Sequence, residues 1–126
     1  MLRGVVRNTF DGLEPTLKLK VYDAQRQSRE FEFVVDSGFT GYVAVTFEML
    51  KSLGLSISGS QRSILADGQV GRCAVAAITL DWFENKMTVD AQVFDGSALV
   101  GTRLLDGHDL RITFSDGGTV EIRQQT

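Results

Sequence analysis

Strict alternation of apolar and polar residues is the feature that most narrows what this chain can fold into. Leu17-Lys18-Leu19-Lys20-Val21 alternates without a break, and Glu30-Phe31-Glu32-Phe33, Met87-Thr88-Val89-Asp90-Ala91-Gln92-Val93, Leu110-Arg111-Ile112-Thr113-Phe114 and Thr119-Val120-Glu121-Ile122 follow the same rule. A side-chain repeat of two belongs to an extended strand with one buried face, and a helix with its 3.6-residue repeat cannot satisfy it. Asp11-Gly12, Asp67-Gly68, Asp95-Gly96 and Ser115-Asp116-Gly117-Gly118 punctuate the runs, and Asp-Gly pairs between strands are strong hairpin signals. Many short strands joined so closely predict a mainly β, barrel-like domain.

The remaining segments fit between these strands. Gly4-Val5-Val6-Arg7 reads as a short strand ahead of the Asp11-Gly12 turn, the only proline, Pro15, follows that turn, and polar residues 23–29 read as a loop. Tyr42-Val43-Ala44-Val45 is a short strand, after which Thr46 can cap a helix over residues 47–53 that Gly54 ends. Phe47, Leu50 and Leu53 are expected on its buried face, with Glu48 and Lys51 facing away. Residues 56–61 read as a Ser/Gly-rich loop. Residues 72–82 carry apolar side chains at almost every position, which predicts a strand covered on both faces in its middle. Glu84-Asn85-Lys86 is a turn, Gly101 sits where the chain must pass close to something, residues 102–105 form one helical turn, and the last two alternating runs form a hairpin.

At 126 residues the chain is expected to be one domain, residues 1–126, with a substantial core. With 43% hydrophobic and 23% charged residues it belongs among folded proteins rather than disordered ones. A net charge of −3, with no cluster of Lys and Arg, argues against a nucleic-acid partner. No apolar run is long enough to span a membrane, and Met1-Leu2-Arg3-Gly4 has no apolar signal core, so the reading is cytoplasmic with no membrane partner. The lone Cys73 cannot close an internal disulfide, in keeping with a reducing compartment. No spacing of His, Cys and carboxylates suggests a metal site, and no glycine-rich phosphate loop opens a helix, so no cofactor is expected. His108 is the only histidine, and Asp106-Gly107-His108-Asp109 reads as a solvated turn rather than part of a catalytic triad.

One stretch carries chemistry. The apolar pair Val34-Val35 runs into Asp36-Ser37-Gly38-Phe39-Thr40-Gly41, which delivers a carboxylate at a strand end on a tight, glycine-containing turn. With Leu65-Ala66-Asp67-Gly68-Gln69 and Leu99-Val100-Gly101-Thr102-Arg103-Leu104-Leu105 following in order, the chain resembles the retropepsin-like (clan AA) aspartic proteases over residues 4–123, the small bacterial members above all.

The resemblance implies a retropepsin-like barrel in which the Asp36 loop and the Val100-Gly101 segment occupy equivalent places in two halves of the domain. It implies an aspartic endopeptidase acting on a polypeptide substrate. That chemistry uses two carboxylates that share a proton around one water, one as base and the other as acid. The sequence holds a single Asp-Ser-Gly, so the pair requires Asp36 from two subunits on a two-fold axis, a homodimer. Ser37 is implied to hydrogen-bond across that axis, with Thr40, Val100 and Gly101 supporting the site. Gly38, Phe39 and residues 65–69 (Leu65, Ala66, Asp67, Gly68, Gln69) are implied on the substrate, the last five as a flap hairpin loosened by Gly68 and Gly71. Taken alone, Asp67-Gly68 is an ordinary hairpin turn. Phe39 departs from the small residue of the viral enzymes, and its ring either narrows the cleft or turns aside. The terminal strands, Gly4 to Arg7 and Thr119 to Arg123, are implied at the dimer interface. Two other classes of function remain open: a non-catalytic dimeric peptide-binding module of the same fold, and a structural or regulatory partner of another protein.

Overall fold

A computed structural model describes residues 1–64 and 67–125. The elements run β1 (Leu2–Thr9), β2 (Gly12–Tyr22), β3 (Ser28–Val35), β4 (Val43–Val45), α1 (Phe47–Leu53), β5 (Gly59–Ile64), β6 (Val70–Trp82), β7 (Asn85–Val93), β8 (Leu99–Val100), α2 (Thr102–Leu105), β9 (His108–Ile112) and β10 (Thr119–Gln124). The protein is mainly β, as the alternation predicts. All the strands belong to one sheet of order β5-β6-β7-β4-β8-β3-β2-β1-β10-β9. A further pairing of Val21 in β2 with Leu80 in β6 brings that order back on itself.

The inward rows of these strands make the core. Leu17, Leu19 and Val21 of β2, Phe33 and Val35 of β3, Ile78 and Leu80 of β6, and Val120 and Ile122 of β10 are all buried in one apolar cluster. The intervening Lys18, Lys20, Glu30 and Glu32 are exposed, which is the pattern of a sheet with one dry face.

Pro15 lies inside β2 and is buried, although a strand interior usually excludes proline. Hydrogen bonding explains the exception. Val6, its partner across β1 and β2, donates its N–H to Gly118 O at 2.8 Å and accepts from Gly117 N at 2.9 Å, so it needs no bond from residue 15. On the opposite side, pairing with β3 begins only at Thr16↔Val34. Pro15 therefore occupies a position where an N–H would have no partner in either neighbour.

Helix α1 matches the expected span and caps. Thr46 Oγ1 accepts from Met49 N at 3.1 Å, and Gly54 closes the helix at φ +69°. Its buried face differs from expectation: Met49, Leu50 and Leu53 are inside, and Phe47 is 46% exposed. Positions i and i+6 stand about 120° apart around a 3.6-residue helix, so Phe47 cannot share the stripe that i and i+4 make with Met49 and Leu53.

Three other expectations change. The second face of β6 is open in its middle rather than covered, with Ala77 exposed and Val75 and Thr79 half-buried although Cys73 on the same row is buried, because the placement of the other elements decides what is covered. The Glu84-centred turn shifts back to Phe83, which takes φ +57°, and β7 starts at Asn85. His108 is not in a solvated turn; it opens β9, half-buried, stacks on Phe83 at 5.3 Å and faces the indole N–H of Trp82. Its Nδ1 lies 2.9 Å from Asp106 O and its Nε2 3.2 Å from Trp82 Nε1. The tautomer with the proton on Nδ1 satisfies both contacts, since Nε2 is then free to accept the indole proton. His108 thus pins the β6–β7 turn to β9.

The terminal strands are paired on both sides within the chain. β1 lies between β2 and β10, and β10 between β1 and β9. The β9–β10 hairpin folds back on β1, pairing Leu2 to Val5 with Thr119 to Ile122 and Val6 with Gly117 and Gly118, so over these residues the two strands have no free backbone edge.

Candidate active site

Strand β3 gains apolar partners as it approaches Asp36. It pairs in parallel with β8 through Val34↔Leu99 and Val35↔Val100, and β8 pairs on its other side with β4 through Val43↔Val100 and Ala44↔Leu99. The chain leaving β3 must therefore pass around the end of β8 to reach β4. Residues 36–42 make that passage, and hydrogen bonds from residues 100–103 fix it.

Four backbone bonds join the two segments. Asp36 N donates to Val100 O at 3.0 Å, Gly101 N to Tyr42 O at 2.9 Å, Thr102 N to Phe39 O at 2.8 Å and Arg103 N to Gly41 O at 3.2 Å. Within the loop, Phe39 N donates to Asp36 O at 3.1 Å, and Gly38 N donates to the carboxylate itself, Asp36 Oδ1, at 2.8 Å. The first turn of α2 and the Asp-Ser-Gly loop therefore satisfy each other's backbone groups, as buried segments must. Asp36 is half-buried, and Ser37, Gly38 and Thr40 beside it are exposed. One carboxylate oxygen is oriented by a backbone N–H while the group stays accessible, which suits a side chain that must meet another molecule.

Gly101 lies where the sequence predicts a close approach. A Cβ on it would collide with Gly41 O and stand 2.6 Å from the Phe39 ring. Phe39 is turned aside: its half-buried ring lies back over Gly41 and Gly101 and meets Phe94 edge-on at 6.3 Å. Tyr42 carries the Arg103 guanidinium 5.2 Å above its ring, a second tie between loop and α2.

Asp36, Ser37, Gly38, Phe39, Thr40, Val100 and Gly101 are thus brought together. Of the expected flap residues, Asp67, Gly68 and Gln69 lie between β5 and β6. β5 and β6 form an antiparallel hairpin through Ile64↔Val70 at one end of the sheet order, and Gln69 N donates to Asp67 Oδ1 at 3.0 Å with Gly68 at φ +84°. Leu65 and Ala66 lie outside the described residues, and among the described residues no hydrogen bond joins the hairpin to the Asp36 loop. Sequence reasoning assigned no role to Gly41, Tyr42, Phe94, Thr102 or Arg103, which hold the loop in place. Gly41 lies inside the stretch singled out for its chemistry, but nothing in the sequence reveals that Phe39 needs the space beside it.

Among the described residues no group of three or more His, Cys, Asp or Glu side chains is placed to hold a metal, and no helix is long and apolar enough to cross a membrane. An open groove of about 400 Å³, lined by Tyr22, Arg26, Leu55, Ala77, Lys86 and Thr88 among others, shares no residue with the Asp36 loop.

A mainly β sheet that pins an Asp-Ser-Gly loop against a Val-Gly segment has the fold of the retropepsin-like aspartic proteases. The crystal structure of a retropepsin-like aspartic protease from Rickettsia conorii superposes with a TM-score of 0.56 at 17% identity, covering 98% of this chain and 92% of that one. At that identity the likeness is one of fold. No protein-family model matches the sequence, and no curated protein matches it either.

Proposed function

We propose that the protein is a homodimeric aspartic endopeptidase of the retropepsin-like kind, with residues 1–126 as one catalytic domain and the Val21↔Leu80 pairing as the closure of its barrel. The observation that carries this reading is the single accessible Asp36 carboxylate, oriented by Gly38 N–H on a loop fixed by residues 100–103, in a chain with the fold of a solved aspartic protease. One such carboxylate cannot act as acid and base at once. Two, brought together on a two-fold axis, share a proton and hold the attacking water, one drawing a proton from it while the other protonates the peptide carbonyl.

In this reading Asp36 is the catalytic residue and Ser37, next to it and exposed, bonds across the axis. Gly38 offers backbone to the peptide, Thr40, Val100 and Gly101 support the loop, and Phe39, its ring turned aside over Gly41 and Gly101, bears on the peptide only through the loop it holds. Residues 65–69 form the tip of a flap that adds an edge to the extended substrate. The buried free thiol of Cys73 suits a reducing cytoplasm.

The second copy would seat at the Asp36 end of the sheet. Leu13 continues the inward row of Pro15 and Leu17, and Phe114 stands two residues beyond Ile112; they are 41% and 61% exposed where the core runs out. The registers Val6↔Pro15 and Thr16↔Val34, with Gly118 bonded to Val6, place both at the end where Asp36 leaves β3.

Asp36→Asn tests the reading. The amide keeps the size of the side chain but cannot act as general base. Hydrolysis of a peptide library should vanish while circular dichroism and sedimentation stay those of the parent. Cleavage at the parent's rate would remove Asp36 from the mechanism, and peptide binding by a parent that never cleaves would favour the binding-module reading.

A further inference from the structure

The packing of Phe39 points to a role that the proposed chemistry alone does not supply. Its ring fills the volume that side chains at two other positions would occupy. A Cβ on Gly41 would stand 2.7, 3.2 and 3.4 Å from three carbons of that ring, the nearest heavy atoms it would meet beyond its own chain neighbours. Gly41 is not among the glycines with positive φ, and Gly101 has φ −106°, so neither is glycine for backbone conformation. Space is the constraint, and at Gly41 the carbons of the Phe39 ring are the nearest atoms that set it.

The same ring touches both halves of the site. Gly41 belongs to the Asp36 loop and Gly101 to the segment hydrogen-bonded to that loop, while Phe94, just after β7, meets the ring edge-on. The Phe39 backbone is bonded at both ends as well, its N–H to Asp36 O and its carbonyl to Thr102 N. A rigid aromatic wedge with its backbone tied on both sides leaves the loop one spacing from α2, because close-packed interiors do not deform continuously.

We infer that Phe39 is a positioning residue: the interlock of its ring with Gly41 and Gly101 sets where the Asp36 carboxylate stands relative to residues 100–103, and through that where two such carboxylates meet. The inference rests on the proposed endopeptidase reading for its consequence, though not for its geometry. A displacement of the loop by an ångström is enough to lower a rate by about a hundredfold.

The test uses the full chain as Phe39→Ala, Phe39→Leu, Gly41→Ala and the double variant Phe39→Ala/Gly41→Ala. Thermal unfolding should show Gly41→Ala lowering the midpoint in the parent and leaving it nearly unchanged once the ring is gone, a coupling expected only if the ring is what the new methyl meets. In cleavage assays on folded dimers, Phe39→Ala should lower kcat by about a hundredfold with little change in KM, and should alter the pH limits of activity, with Phe39→Leu recovering part of both. A residue that merely fills space would leave the pH profile of the surviving dimers where it was.

The inference is overturned if Gly41→Ala costs the same in both backgrounds, or if folded Phe39→Ala dimers keep the parent's kcat and pH profile. Should the parent cleave no peptide, the endopeptidase reading fails by itself. The wedge is then decided by the unfolding coupling together with the carboxyl carbon resonance of Asp36, which Phe39→Ala should move and which, left unmoved, contradicts the inference.

Discussion

Asp36 and Tyr22 show how differently single residues reveal themselves. Asp36 stands out in the sequence because its partners are its neighbours: the turn glycine whose N–H it accepts is two positions away. Gly101 is legible for a similar reason, since a glycine set between an apolar pair and a helical turn marks a place with no room for a side chain. Phe39 and His108 are not, because partners that define them lie far along the chain, Gly101 and Phe94 beside the nearby Gly41 for one and Trp82 and Phe83 for the other. Tyr22 belongs with this second kind. Its hydroxyl donates to Asp81 Oδ1 at 2.8 Å while Lys86 sits 4.0 Å above its ring. The bond to the carboxylate favours the neutral phenol, so the Tyr22 pKa is raised above its ordinary 10.0, with burial and the Asp81 charge adding to it. The folded state thus holds this proton more tightly than the unfolded chain does. Its contribution to stability is full below the unfolded value and fades as pH climbs through the raised one. Ultraviolet titration of the phenols should show Tyr22 ionising late, and Asp81→Asn should bring its midpoint down; an unchanged midpoint would mean the bond is not made in solution.

At the scale of elements, local chemistry decides how much can be read. Helix α1 is legible at both ends because its caps are adjacent residues: Thr46 bonds Met49 N, and Gly54 turns left-handed. Removing the hydroxyl with Thr46→Ala should cost about 1 kcal/mol in urea unfolding, the usual value of such a cap. A loss within experimental error would show that Leu53 O, bonded by Ala24 N, and Ser52 O, bonded by Arg29, hold the helix without its cap. The alternating strands are equally plain, yet their limits are not. β1 extends to Leu2–Thr9 and β2 absorbs Pro15, because pairing with neighbours distant in sequence continues strands past the point where their own pattern stops. The open face of β6 has the same origin: an apolar run tells how much could be buried, and only the placement of the other elements decides whether anything covers it.

For the whole molecule, the order of the sheet was beyond the reach of alternation and turns; the parallel insertion of β8 between β3 and β4, which makes the candidate site, follows from tertiary packing alone. The resemblance in three short motifs implies only that the Asp36 loop and the Val100-Gly101 segment hold equivalent places in two halves of the domain. Because Leu2–Val6 and Thr119–Ile122 are already paired within the chain, the proposed contact between subunits at the terminal strands would run there through side chains, with the exposed Leu13 and Phe114 available at the end that carries Asp36. An active site completed by a second copy makes a specific demand on mixtures. Parent and Asp36→Asn chains, unfolded together and refolded so that subunits exchange freely, should form parent, mixed and substituted dimers, and only the first holds two carboxylates. Peptide cleavage measured across a series of such mixtures at constant total protein should fall with the square of the parent fraction. A linear fall would mean that each chain works alone with its own Asp36, and would contradict a site built from two.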